Sequence, residues 1–147
     1  MTMEALDALR SQLIEHEGER LTVYTCPAGY PTIGVGRNLI GTGISKAESR
    51  MLLDADIRRC IEQAVVHFPW FEALDEVRQR AVVDLIFNMG IGTLKTFTVT
   101  LSCFARKDYR NAAEALMKSK WYGQVGQRAK RIVAMVRTGE DPGLESA

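Results

Sequence analysis

Histidine is scarce in this chain: His16 and His67 are the only two among 147 residues. A hydrolytic zinc centre with three protein ligands would have to recruit cysteine or carboxylates, so no metal and no cofactor is expected. Cysteine is scarce too. Cys26, Cys60 and Cys103 are too few and too odd in number for a disulfide framework. No apolar run approaches a membrane span, and the amphipathic, acid-bearing N-terminus does not read as a secretory signal. An excess of one charge is missing as well: nineteen Lys and Arg balance eighteen Asp and Glu, a net +1 that gives no overall mandate for nucleic acid. What is present is ordinary globular composition, 46% hydrophobic and 25% charged, which argues against wholesale disorder. The length suits one domain, 1–147, with a core of its own. Together these features describe a soluble single-domain protein of a reducing cytoplasm.

Hydrophobic periodicity predicts an amphipathic helix over 3–16, with Leu6, Leu9, Leu13 and Ile14 on one stripe, Thr2 as its cap and Gly18 as its stop. Two short β-prone runs follow, 21–24 and 32–35. Cys26-Pro27-Ala28-Gly29 lies between them, with proline and glycine where a type I turn prefers them. Ser45 and Glu48 form a capping box that opens a long helix, which runs to His67 and is ended by Pro69. A broad apolar stripe (Val77, Ala81, Val82, Leu85, Ile86 and Met89) marks a helix over 74–89 as the central core helix. Shorter helical patterns lie near 94–106, 109–118 and 126–137, and residues 138–147 are expected to fray. The fold class is α+β. A small antiparallel sheet (about 18–43) follows the first helix, and a long helix joins it to a mostly helical lobe (about 66–137) that includes the N-terminal helix.

The densest chemical signal is 16–37, HEGERLTVYTCPAGYPTIGVGR. Glu17 closes the first helix, where the negative end of the helix dipole favours a protonated carboxyl, the form a glycosidase needs to protonate a departing sugar oxygen. A solvated helix-end glutamate is the bland alternative. Gly34-Val35-Gly36 lacks the third glycine and the following helix of a dinucleotide fingerprint. Strand alternation instead puts both glycines on one bare face, open to close approach by a substrate. Cys60 and Cys103 fall in helical patterns and read as core, and Trp121-Tyr122 reads as a packing pair.

The spacing of Glu17, Cys26 nine residues on and Thr32 six beyond resembles the phage-type lysozymes, glycoside hydrolase family 24. TIGVGRNL (32–39) is similar to that family's second-strand signature. LDEVRQRAVVDLIFNMGIG (74–92), Phe97 and AAEALMKSKWYGQVGQRAKRIVAMVRTG (112–139) resemble its C-terminal lobe, so the likeness covers nearly the whole chain in order. The resemblance implies a single lysozyme-like catalytic domain, a muramidase. It would cleave the β-1,4 bond between N-acetylmuramic acid and N-acetylglucosamine of peptidoglycan, as a phage endolysin in host lysis. Glu17 would be the general acid, and Cys26, where other members carry Asp, the general base or water-orienting group. Thr32 would hold the water. Asn88 would face the sugar, Arg128 would approach the catalytic glutamate and favour its ionised form, and Lys120 would meet a peptide carboxylate of the substrate. Arg37 stands where the best-known relatives carry a histidine paired with an acid of the next helix, which by spacing would be Asp56 here, tying the sheet to that helix; two independent solvated charges are the alternative. The implied partners are peptidoglycan and, only indirectly, a holin that releases a monomer from the host cytoplasm to the periplasm and wall. Neither nucleic acid nor stable membrane insertion is implied.

The balanced net charge hides a split. Residues 1–73 carry seven basic and ten acidic groups, whereas 74–147 carry twelve and eight. The basic run between Met117 and Thr138 has six Lys or Arg and no acid. It reads as a solvated face, a wall attracting anionic peptidoglycan, or a membrane-active helix. Two other functions remain open: a Cys–His peptidase or amidase using Cys26 with His16 or His67, and a wall-binding or membrane-active protein without catalysis.

Overall fold

In the computed structural model, which describes residues 1–143, Thr2 opens helix α1 (Met3–Glu17) by accepting the Ala5 N–H on its Oγ1 at 3.1 Å. Gly18 closes the helix at φ 74°, and its N–H reaches the Ile14 carbonyl at 2.8 Å. The chain then enters β1 (Arg20–Thr25), β2 (Pro31–Gly34) and β3 (Arg37–Asn38), an antiparallel sheet in sequence order. The turn expected at Cys26 is present: Gly29 N–H bonds the Cys26 carbonyl at 2.8 Å and Cys26 N–H bonds that of Tyr30 at 3.0 Å. Pro27 presets the first turn residue and Gly29 takes φ 91°, the three-residue hairpin loop in which a glycine follows a type I turn. Tyr24 faces Thr32 across the ladder, and Arg20 faces Gly34 after a register shift in β1. β3, pairing Asn38 with Thr32 and Arg37 with Ile33, was not expected. Two residues are too few to show a strand period.

Helix α2 (Lys46–His67) begins with the anticipated capping box: Ser45 N–H to Glu48 Oε1 at 2.9 Å, and Glu48 N–H to Ser45 Oγ at 3.1 Å. After a 3₁₀ turn (Phe71–Ala73), Asp75 caps α3 (Glu76–Met89) by accepting the Arg78 N–H at 3.1 Å. Then come α4 (Ile91–Leu94), α5 (Thr98–Ala105), α6 (Tyr109–Met117), α7 (Lys120–Val125) and α8 (Gln127–Thr138). The pattern near 94–106 corresponds to α5, and the short α4 before it was not expected. The six-residue α7, capped by Ser119, was not expected.

The chain forms two compact units, Met1–Met51 and Leu52–Ala147, with the border inside α2. Among the described residues the N-terminal unit buries a single side chain, Thr32. The C-terminal unit holds the apolar core. There α3 buries Ala81, Val82, Leu85 and Ile86, as expected of a central helix, and α8 contributes Ala129, Ile132, Val133, Met135 and Val136. Cys60 and Cys103 are buried free thiols, and Trp121 is buried with Tyr122 packed on the core, as expected. Phe68, Trp70 and Phe104 stack with successive centroids 4.9 Å apart, and Tyr109 meets Phe104 edge-on.

Arg78 joins three helices of this unit. Its guanidinium lies 3.8 Å from the Tyr109 ring, while Nε and a terminal nitrogen donate to the last carbonyls of α8, Val136 at 2.7 Å and Arg137 at 3.0 Å. The fork satisfies C-terminal carbonyls that a helix leaves without intrahelical partners. The expectation that 138–147 fray is corrected for its described part. Asp141 accepts from Arg131 at 2.8 and 2.7 Å, from Arg80 at 2.7 Å and from the Gly143 N–H at 2.9 Å. Composition suggested a loose tail, but one carboxylate ties the segment to α3 and α8. Residues 144–147 lie outside the described residues.

Candidate active site

Cys26, Thr32 and Glu17 all belong to the N-terminal unit and are set out along one hairpin. Cys26 stands where β1 enters the turn, at the first position of a type I turn, a place Asp, Asn and Ser favour because their side chains accept the turn's own N–H groups. The partly exposed thiol takes that carboxylate-like role. The Tyr30 N–H holds its pKa below that of an ordinary cysteine. The Thr32 hydroxyl and the N–H groups of Ala28 and Gly29 add to this against some desolvation. Neither histidine is among the groups acting on it.

Thr32, in the middle of β2, is 2% exposed, and its Oγ1 donates to the Tyr30 carbonyl at 2.8 Å. A hydroxyl has one hydrogen to give. Thr32 gives it to the Tyr30 carbonyl beside a neutral thiol and gives it to a Cys26 thiolate only by rotating away. Glu17, exposed at the end of α1, folds its carboxyl onto the β2–β3 turn against Gly36. The bare glycine face was expected to admit substrate. Instead β2 ends at Gly34, Gly36 lies in the turn, and the protein's own Glu17 occupies the space beside it.

The expected Arg37–Asp56 pair is corrected. Arg37 bonds Glu48 through both carboxylate oxygens, at 3.0 and 2.7 Å, and the Gly43 carbonyl at 3.0 Å, while Asp56 pairs with Arg59 one helical turn away. Glu48 was already visible as the capping-box acid. Its second role was not, because chain spacing alone does not show that the β3 arginine reaches the start of α2. Arg37 and the Ser45 cap together hold the Glu48 carboxyl down to about 2.

The remaining nominated residues lie in the C-terminal unit. Asn88, exposed on α3, accepts the Trp121 indole N–H on Oδ1 at 2.8 Å, which fixes the amide and leaves its NH₂ as the outward donor. Lys120 is exposed at the first residue of α7. Arg128 pairs with Asp84 at 2.7 Å, and both line an apolar groove of about 600 Å³ with Leu53, Ile57, Val83 and Phe87. Three of the six basic residues of the run are engaged: Arg128 with Asp84, Arg131 with Asp141 and Arg137 with Glu114. That favours a structural reading of Arg131 and Arg137 over an anion-attracting wall. The apolar side of α8 is core, which leaves little for a membrane. No described helix is long and apolar enough to cross one.

Comparison with known proteins extends this picture. The model of the phage lysozyme family matches residues 14–137. The chain is 26% identical over 163 aligned positions to "Probable T4-type lysozyme 1" of Dictyostelium discoideum, covering 91% of this chain and 96% of that protein. Identity to the endolysin of Salmonella phage P22 is 34% over 125 positions, covering 78% and 82%. The pre-baseplate central spike protein Gp5 of Enterobacteria phage T4 is 30% identical over 168 positions, which span 94% of this chain and 29% of that longer protein.

Proposed function

Since the chain belongs to the phage lysozyme family, we propose that this glycoside hydrolase is a muramidase. Its bond is the β-1,4 linkage between N-acetylmuramic acid and N-acetylglucosamine of peptidoglycan. The carrying observation is the small sheet, whose first turn and second strand carry a thiol held below its ordinary pKa (Cys26) and the hydroxyl beside it (Thr32), while a carboxyl from the end of α1 (Glu17) rests against its second turn.

Glu17 gives its proton to the glycosidic oxygen as the carbon–oxygen bond breaks. Water attacks the anomeric carbon and surrenders its proton to Cys26, a single displacement that needs two groups with opposite proton duties. The turn's N–H groups stabilise thiolate as they would a carboxylate, which is how a cysteine serves where an aspartate would. Thr32 works through Cys26 as well as on the water, since its hydroxyl is buried against the thiol's own turn. In the C-terminal unit, Asn88 offers its amide NH₂ to the sugar and Lys120 meets a peptide carboxylate. Arg128 is the third substrate-side residue. The biological setting we propose is endolysin action. A monomer in the host cytoplasm reaches the periplasm and the wall once a holin opens the inner membrane.

The test is release of new reducing ends from purified peptidoglycan. Glu17→Gln should release none, Cys26→Asp should retain substantial activity and Cys26→Ala should lose most of it. Exchange of both His16 and His67 should leave turnover intact, which a Cys–His peptidase would not survive. A wild-type protein that binds wall without releasing reducing ends overturns the assignment in favour of a non-catalytic binder.

A further inference from the structure

At the turn that carries Gly36 the hairpin backbone meets the Glu17 side chain. Gly36 adopts φ +65°, and a Cβ built on it would stand 3.0 Å from Glu17 Oε2, 3.3 Å from Cδ and 3.5 Å from Cγ. The whole carboxymethyl end of Glu17 therefore lies flat on the missing side chain. Two residues earlier Gly34 adopts nearly the same φ, +68°, yet a Cβ there would meet nothing within 4 Å. Both positions demand left-handed backbone, which glycine adopts without a Cβ clash. Gly36 alone carries a second demand, on the place of a neighbouring functional group.

We propose that Gly36 is a positioning residue for Glu17. By lacking a Cβ it lets the carboxyl settle on the turn, and any side chain there displaces the proton donor from its place on the hairpin. The proposal rests on the reading of Glu17 as general acid. With the carboxyl moved by a fraction of an ångström the substrate still binds. The proton then starts from the wrong point, and misplacement of that order costs catalysis heavily. The effect belongs in kcat, with KM largely spared, because Gly36 acts through Glu17 and not on the sugar.

Gly34 supplies a control, since Gly34→Ala also puts a side chain at positive φ but without the contact. The experiment compares Gly36→Ala with Gly34→Ala for reducing-end release and thermal unfolding, and repeats both unfolding measurements in a Glu17→Ala background. We expect kcat of Gly36→Ala to fall at least about tenfold below that of Gly34→Ala, with KM changed less than about twofold. We also expect Gly36→Ala to lose more thermal stability than Gly34→Ala, and that excess to vanish when Glu17 is truncated. Equal kcat losses in the two variants, or an excess that persists without the Glu17 carboxyl, would overturn the proposal. If Gly36→Ala does not fold, recovery of folding in the Glu17→Ala background supports it, and failure to recover sinks it. Glu17→Gln, assayed alongside, separates the two levels. If Glu17→Gln keeps turnover, the general-acid reading itself has failed. If Glu17→Gln is inactive and the glycine variants are alike, only the Gly36 inference falls.

Discussion

The N-terminal unit buries one side chain, a threonine, whereas the C-terminal unit buries every apolar core residue of the described chain. The first is held by turns, caps, a short ladder and the Arg37–Glu48 pair. The second is held by packing, with Leu85, Phe104, Leu116 and Ile132 almost wholly excluded from solvent. Hydrogen bonds are directional and short-ranged, so a framework made of them fixes individual polar groups, which apolar packing does not do. Apolar burial is non-directional and scales with area, so it supplies stability. The nominated proton-transfer groups sit in the first kind of structure, and the stability reserve sits in the second. Regions with few buried apolar contacts are also those that open at least cost.

The sharpest way to break this division is to remove chemistry without packing. Glu17→Gln should abolish turnover, a loss of at least the about 10²–10⁴-fold that a positioned acid is usually worth, while the thermal midpoint stays close to wild type. Reducing-end assays beside thermal unfolding check this, and a large stability loss would show the division to be false. The converse change is Leu85→Ala on α3, where the side chain is 1% exposed. It should cost about 3–4 kcal/mol in denaturant unfolding and leave the per-molecule rate of folded enzyme within about twofold.

A smaller effect is expected where hydrogen bonds serve the packed unit. Arg78→Ala removes two bonds to the end of α8 and the contact with Tyr109. It should cost about 2–3 kcal/mol. Arg78→Lys should recover little of that, because a point charge does not reproduce the planar fork. Gly139 belongs to the same arrangement, since a Cβ there would stand 3.0 Å from the Arg78 guanidinium.

Most of the helical plan was legible because it rests on local chemistry. Thr2, Gly18, the Ser45–Glu48 box and the α3 stripe each act within a turn or two of chain, and each was found where expected. The misses share one cause. β3 aside, which is too short to show a strand period, the Glu48 partner of Arg37, the Asp141 clamp and the Glu17–Gly36 contact all join residues that chain spacing does not bring together. Asp141 is the clearest case: a Gly- and Pro-containing, acidic segment reads as loose until two arginines from different helices converge on it. In the candidate site, Glu17, Cys26 and Thr32 could be nominated from their spacing. The N–H groups that act on the thiol could not, because backbone donors have no letter in the sequence.

The mildest prediction tests whether the N-terminal unit really depends on polar contacts. The Glu48 carboxyl, held to about 2 by Arg37 and the Ser45 cap, would titrate near 4.3 in the unfolded chain. A folded value below the unfolded one means the contribution is complete above the unfolded value and is lost as the pH falls through the folded one. Thermal unfolding of wild type and Glu48→Gln should therefore differ most above about pH 5. The two should converge as the pH drops toward 2, where Glu48 is also neutral. Both partners are more than a third exposed, so added salt should shrink the gap at neutral pH. Amide exchange in 37–48 is the local readout, faster in Glu48→Gln, with the Leu85 region of α3 unaffected. Equal protection of 37–48 in the two proteins at neutral pH would mean that this unit is held by something other than its hydrogen-bonded pairs.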